Sequence, residues 1–210
     1  RVVAMNKKRK ETELIEKISS ETPFVVSVGH LYPYKKYDTL IRGFAEHVRQ
    51  TGENINYLIA GGFATPGLDG RLSALAHTLG VGKRVQLLGP QPYSLSLGLI
   101  ARANAFLFGS TVENCPNALL EAMAMAKPVI CSDRSSMPEF AGDTVMYVNP
   151  DMPDEITAGL LRLRDEPEAA ARLGKAAYKR VHEMPGVDEM ASATLQAILD
   201  TASLRPFPSQ

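Results

Sequence analysis

The sequence predicts a doubly wound α/β domain, a parallel sheet flanked by helices on both faces. Three observations carry that prediction. From Pro23 onward, short apolar runs alternate with amphipathic stretches at helical spacing, which is the pattern of βαβ units. The apolar runs are nearly unbroken, as expected of strands covered on both faces. The composition, 45 % hydrophobic and 22 % charged over 210 residues, supplies enough apolar material for one such core.

The elements follow in order. Residues 1–22 read as a leader and linker. Arg1, Lys7, Lys8, Arg9 and Lys10 precede Glu11, Glu13 and Glu16, while Leu14, Ile15 and Ile18 recur at helical spacing. A short amphipathic helix behind a solvated basic lead-in is expected there. Strands are predicted over 24–28, 56–60, 85–88, 105–108, 129–131 and 145–148. Between them, helices are predicted over 38–50, 72–79, 95–101 and 118–126, the second ending at Gly80, a suitable residue for a helix C-terminus. After Pro150 the pattern becomes helical throughout, with helices predicted over 154–164, 168–183 and 188–203. Pro206 and Pro208 mark a frayed tail. The domain proper therefore runs over 23–183, followed by a C-terminal helix and tail over 184–210.

Charge and cysteine content exclude several functions. Lys plus Arg number 23 and Asp plus Glu number 23, so no global basic field recruits nucleic acid or an anionic membrane. Cys115 and Cys131 form no Cys-x-x-Cys or Cys/His spacing, which argues against structural zinc. A reduced, cytoplasmic chain is the simplest expectation, with a single disulfide still open at this stage. No apolar run reaches the roughly 18–20 uncharged residues of a membrane span, because Gly89, Pro90, Gln91 and Pro92 interrupt the longest candidate. The chain begins at Arg1 without a signal-type leader and is expected to be a piece of something longer.

In doubly wound sheets, ligands sit at the carboxyl ends of the strands, so the loops leading into helices are where chemistry is sought. The first offers Gly29, His30 and then Lys35, whose ammonium suits a phosphate oxygen, or is simply solvated. No Gly-Lys-Ser/Thr closes it as a P-loop. The second offers Gly61-Gly62, which can cradle a phosphate or only make a turn. Gly-x-Gly-x-x-Gly does not fit, so a dinucleotide fingerprint is absent. In the third, Gly89, Pro90 and Gln91 with Pro92 make a stiff loop that either borders a base edge or merely connects.

The fourth loop carries the most information. Pro116 is expected at the first helical position, where its missing N–H has no helical partner. The free amides beyond it, with the helix dipole, form an anion site suited to a diphosphate. Glu113 precedes that helix and Glu121 lies two turns into it, so they can serve different parts of one extended ligand as acceptors for sugar hydroxyls. Taken as a pair alone, helix capping and a surface salt bridge explain them as well. Cys115 at a helix start suits a lowered-pKa thiol, but no histidine or acid stands at a recognisable spacing to activate it. In the fifth loop, Ser132, Asp133, Ser135 and Ser136 ahead of Pro138-Glu139 read as an N-cap and first helical turn.

As an ordered set these segments resemble the C-terminal, donor-binding half of retaining GT-B glycosyltransferases of family 4, a Rossmann-like domain. The likeness runs from about Phe24 to about Arg172. Val-Gly-His-Leu-Tyr-Pro-Tyr-Lys resembles that family's first basic loop, Leu-Ile-Ala-Gly-Gly its glycine turn, and Arg-Val-Gln-Leu-Leu-Gly its base-binding strand. The run from Glu113 through Asn114, Cys115, Pro116, Asn117 and Ala118 to Glu121, followed by Lys-Pro-Val-Ile, is close to its Glu-x7-Glu signature.

The resemblance implies that Lys35 holds the donor diphosphate, Glu113 the transferred sugar and Glu121 the ribose. The amides of Asn114 to Ala118 would touch sugar and phosphates, with Gly89, Pro90 and Gln91 along the base. Gly29, His30, Gly61 and Gly62 complete the donor set, and Lys35 and Glu113 are the catalytic candidates. His30 stands where many members carry arginine, so the phosphate charge rests more heavily on Lys35. The implied activity is metal-independent transfer of a hexose-type sugar from a nucleoside diphosphate sugar, with no cofactor. No Asp-x-Asp motif points to the metal-dependent GT-A class. The acceptor, a glycan or lipid-linked glycan, would bind an N-terminal half absent from this chain, and the helix over 188–203 would cross back onto that half. The expected partners include no nucleic acid. The implied location is cytoplasmic, with peripheral association of the whole protein at the cytoplasmic face of a membrane. A non-catalytic nucleotide-binding module, a sugar phosphorylase and a nucleotide-sugar epimerase are the competing readings. A dehydrogenase fits less well, because its glycine fingerprint is missing.

Overall fold

The computed structural model describes residues 22–204. The leader helix expected around Leu14 to Ile18 and the tail from Pro206 lie outside the described residues. Six strands form one parallel sheet: β1 Phe24–Val28, β2 Asn56–Ala60, β3 Val85–Gly89, β4 Ala105–Phe108, β5 Val129–Ser132 and β6 Met146–Val148. Their order is β3-β2-β1-β4-β5-β6. The chain winds outward from β1 in one direction, then returns to β4 and winds outward in the other. The reversal leaves a crevice at the carboxyl ends of β1 and β4, where doubly wound folds bind ligands. The β1–β4 ladder pairs only Val25 with Ala105 and Val26 with Phe106, whereas β1 and β2 pair along their whole length.

Strand side chains alternate between two cores. Val25, Tyr57, Ile59, Leu107 and Ile130 face one, which is closed by α1 (Tyr37–Thr51), α2 (Leu68–Thr78) and α6 (Pro153–Asp165). Val26, Leu58, Phe106, Phe108 and Cys131 face the other, closed by α3 (Tyr93–Arg102), α4 (Asn117–Ala124), α5 (Met137–Ala141) and α7 (Pro167–His182). This is the predicted architecture, with every predicted strand present. α8 (Val187–Leu204) follows, and the exposed side chains of Met190, Leu195, Ile198 and Leu199 leave it an apolar surface. Among the described residues no helix is long and apolar enough to cross a membrane.

The differences from expectation are local. α2 begins at Leu68, a turn earlier than the periodicity suggests, because Gly67 at φ 70° turns the chain into it. α4 stops at Ala124 rather than Ala126. There the N–H groups of Ala126 and Lys127 bond back to Met123 and Ala122, and Ala126 takes a left-handed φ of 54°. Pro116 is the N-cap of α4, not its first helical residue. Both cysteines are free, which settles the disulfide question left open by the sequence.

Candidate functional site

Gly29 follows the last residue of β1, and the chain crosses to α1 through a 3-10 turn over Pro33–Lys35. Lys36, at φ 54°, closes that turn and starts α1 directly. This short, stiff passage holds Lys35 beside the strand ends. Two hydrogen bonds fix the loop from below. The buried Tyr37 hydroxyl donates to the Gly29 carbonyl at 2.8 Å, and the Thr111 N–H donates to the Tyr34 carbonyl at 2.8 Å, tying the β1 loop to the β4 loop.

The β4 loop then brings Glu113 across the crevice, where its carboxylate pairs with the Lys35 ammonium. Lys35 Nζ also lies 5.2 Å from the centre of the Phe108 ring and 5.5 Å from that of Tyr34, within cation–π range. The Glu113 backbone is fastened from a third loop. Ser135 and Ser136 hydroxyls donate to its carbonyl at 2.9 and 2.8 Å, and its N–H donates to Ser135 Oγ at 3.2 Å. The two serines read as caps in the sequence therefore do something else: no side chain caps α5.

α4 begins at the same crevice with no side-chain cap at Pro116, so its positive end is open toward the cleft. Glu121, on the cleft face of α4, accepts a hydrogen bond from the Tyr93 hydroxyl. That bond, then the nearby carboxylate charge, raises the pKa of the Tyr93 phenol above its usual value. Burial first, then the Glu113 charge, raises that of Tyr34. Gln91 is pinned by a 2.6 Å bond from its amide to the Leu88 carbonyl.

These groups line one cleft of about 390 Å³, within the range of small-molecule sites. Ten sequence-predicted residues form its wall: Gly29, His30, Lys35, Gln91, Glu113, Cys115, Pro116, Asn117, Ala118 and Glu121. Gly61, Gly62, Gly89, Pro90 and Asn114 stand outside that wall. Gly61 and Gly62 support it from behind: a Cβ on Gly61 would lie 1.9 Å from the Gly29 carbonyl oxygen, and one on Gly62 would lie 2.5 Å from the His30 ring. Gly89 accepts the Gly61 N–H at 3.0 Å, which extends the same stack of close backbones.

Sequence reasoning missed the aromatic part of the wall. Tyr32 and Tyr34 stack with ring centres 5.3 Å apart, and Tyr93 closes the Glu121 side. Three tyrosines in loops just past strand ends were the available signal. Cys115 is exposed and its thiol lies 3.4 Å from Asn117 Oδ1, with no histidine or carboxylate against it among the described residues. Among the described residues no three His, Cys, Asp or Glu side chains are grouped to hold a metal ion.

Comparison with known proteins shows a family and a shared fold. The family model described as glycosyl transferases group 1 matches residues 8–180. The chain is 29 % identical over 166 residues to the D-inositol 3-phosphate glycosyltransferase of Corynebacterium glutamicum, covering 77 % of this chain and 40 % of that protein. It spans less than half the length of such curated relatives. Its fold matches that of Anabaena HepE in complex with UDP and glucose, at a TM-score of 0.76 and 21 % identity, over 93 % of this chain and 52 % of that one. It also matches the C-terminal domain of a glycosyl transferase group 1 protein from Francisella tularensis, at a TM-score of 0.68 and 20 % identity, over 78 % of this chain and 87 % of that domain.

Proposed function

The chain belongs to the glycosyl transferases group 1 family, and we propose that it is the donor-binding half of a retaining, metal-independent glycosyltransferase of family 4. One observation carries this reading: Lys35, Glu113, Glu121 and the uncapped start of α4 converge on a single cleft at the β1/β4 reversal. The donor is a nucleoside diphosphate hexose. Its diphosphate lies against Lys35 and the first amides of α4, its ribose hydroxyls against Glu121, and its sugar hydroxyls against Glu113.

In the reaction the bond between the anomeric carbon and the diphosphate oxygen breaks. The electron pair leaves with the nucleoside diphosphate, and an acceptor hydroxyl bonds to the anomeric carbon as its proton passes to the departing diphosphate oxygen. Lys35 and the α4 amides stabilise the charge that grows on the leaving group, an effect worth roughly 3–4 kcal/mol per well-placed donor. Glu113 and Glu121 orient the donor rather than carry protons. The acceptor, a glycan or lipid-linked glycan, binds a second half of the protein, onto which the apolar face of α8 crosses back. On this reading the donor half alone turns over little or nothing, and the whole enzyme works in the cytoplasm, at the membrane face if its acceptor is lipid-linked.

The test is a thermal-shift panel on the intact protein with UDP, GDP, ADP, NAD and inorganic phosphate, with and without magnesium. A ligand at 100 times its dissociation constant adds about 2.7 kcal/mol to stability, which is visible as a melting shift. A magnesium-independent shift with UDP or GDP is expected and names the base. No shift with any nucleotide overturns the reading.

A further inference from the structure

At the other end of the strands lies a second cavity, of about 330 Å³. It opens between the starts of β1 and β4, the last turns of α1, and the corner from α6 to α7. Its polar wall contains His47, Glu53, Lys127 and Arg164.

Three features make this wall unusual. His47 is 2 % exposed, with Nε2 2.9 Å from the Glu53 carboxylate. A carboxylate only accepts, so Nε2 carries the proton. Its Nδ1 is buried and has no partner among the described residues. Lys127 is half-buried with no carboxylate against it among the described residues, and burial weakens its hold on a proton. It follows Ala126, whose left-handed φ of 54° is costly for a residue with a side chain. Finally, α7 starts at this wall with Pro167 in its first turn and no side-chain cap at Glu166, adding the positive end of a 16-residue helix.

The charge balance indicates the ligand. With His47 neutral, the charges of Glu53 and Asp165 offset those of Lys127 and of Arg164, which Asp165 holds at 2.7 Å. Among the described residues no carboxylate stands against Lys127, so an anion of one charge that pairs with it and arrives with one proton leaves the wall neutral. A half-buried ammonium without a counter-charge is costly, and a ligand bringing a single negative charge removes that cost. Apart from Asn104, whose side-chain oxygen accepts the Phe24 N–H at 3.0 Å, the remaining wall, with Val25, Ile55 and Leu160, is apolar. A phosphate dianion would leave excess negative charge there.

We propose that this cavity is a second ligand site, which takes a small organic monocarboxylate. The carboxylate pairs with Lys127, and its short apolar body packs on Val25, Ile55 and Leu160. One proton enters from solvent onto His47 Nδ1, which then donates to the second carboxylate oxygen. The site lies at the opposite end of the sheet from the cleft above and stands independently of the donor reading.

The test is calorimetric titration of the intact protein with hexanoate, with hexanol and inorganic phosphate as comparisons, in two buffers of different ionisation enthalpy. Hexanoate is expected to bind with net proton uptake and more tightly than either comparison. Lys127→Met is expected to weaken it by roughly tenfold, the worth of one charge-assisted contact, and to leave UDP binding unchanged. Nitrogen NMR of the His47 ring, read on the unsubstituted protein, is expected to show Nδ1 becoming protonated as hexanoate is added. The proposal is overturned if hexanol or phosphate binds as well as hexanoate, if folded Lys127→Met binds hexanoate unchanged, or if the His47 ring does not respond.

Discussion

Lys35 and Glu113, 78 residues apart in the chain, close on each other as an ion pair across the ends of β1 and β4. Both side chains are largely shielded, at 13 % and 15 % exposure. The lysine assigned to the diphosphate is therefore already engaged by the carboxylate assigned to the sugar, and an incoming phosphate must compete for it. Glu113→Gln removes the competitor. Affinity for a bare nucleoside diphosphate is expected to rise by roughly threefold to tenfold. Sugar transfer is expected to fall by roughly 100-fold, because the sugar loses its orienting acceptor. Lys35→Ala is expected to weaken the same nucleotide by roughly tenfold without unfolding the chain. Titration calorimetry beside a turnover assay separates the two effects, and a loss of nucleotide affinity in Glu113→Gln would contradict the competition.

The Tyr93–Glu121 bond gives a spectroscopic handle. The phenol donates to the carboxylate, so ionising it breaks the bond and sets two negative charges side by side, and its pKa is raised. A raised phenol pKa means that the contact's contribution to stability is full below the ordinary tyrosine range and is lost as pH climbs through the raised value. Glu121→Ala is expected to bring the Tyr93 titration back down toward the ordinary value and to weaken nucleotide binding, with only a small loss of stability near neutral pH because Tyr93 is exposed. Ring NMR of Tyr93 across the alkaline range measures the first effect.

Gly61 tests the backbone stack behind the cleft. An added Cβ would lie 1.9 Å from the Gly29 carbonyl oxygen, a backbone atom that no side-chain rotation can move away. Gly61→Ala is expected to cost about 1–3 kcal/mol, at least, and to displace the β1 loop. Denaturant melts and nucleotide titration would both register the change. Gly52→Ala, with open space around its added Cβ, controls for loss of glycine as such, although its left-handed φ carries its own smaller strain.

Within the core, two aromatic positions should behave differently. Phe44 packs against Tyr57 with ring centres 5.6 Å apart and is fully buried, so Phe44→Ala is expected to cost roughly 3–5 kcal/mol. Tyr57→Phe removes a hydroxyl that shares a 2.8 Å bond with Ser27, but Ser27 keeps its 2.6 Å bond to the Leu107 carbonyl. Its cost is expected near 1 kcal/mol. Equilibrium unfolding of both variants checks the contrast.

The strands were legible in the sequence because β1, β2, β4 and β5 are buried on both faces and therefore read as nearly continuous apolar runs. The helix starts were less so. Leu68 begins α2 on the strength of the Gly67 backbone turn, which hydrophobic spacing does not encode. Most of the cleft residues were named from loops past strand ends, with a family pattern to order them. What sequence could not supply is which loops meet. The Ser135 and Ser136 hydroxyls serve the Glu113 backbone rather than their own helix, and Tyr93 reaches Glu121, only because strand order brings separate crossovers to one edge. The second cavity was equally hidden, since His47 and Lys127 belong to different crossovers and come together only at the amino ends of the strands.

The short β1–β4 ladder has a mechanical consequence. The ladder that joins the half of the sheet built from β1 to β3 to the half built from β4 to β6 has two residue pairs, backed by the Ser27 bond to the Leu107 carbonyl and by the bonds between Phe24 and Asn104. The cleft draws one wall from each half, with Lys35 on one and Glu113, Ala118 and Glu121 on the other. A molecule lying in it is a cross-tie over the shortest ladder in the sheet. Filling the cleft should therefore quiet the breathing of that joint, so that amide exchange at Val26 and Phe106 slows while the outer strands β3 and β6 keep their own rates.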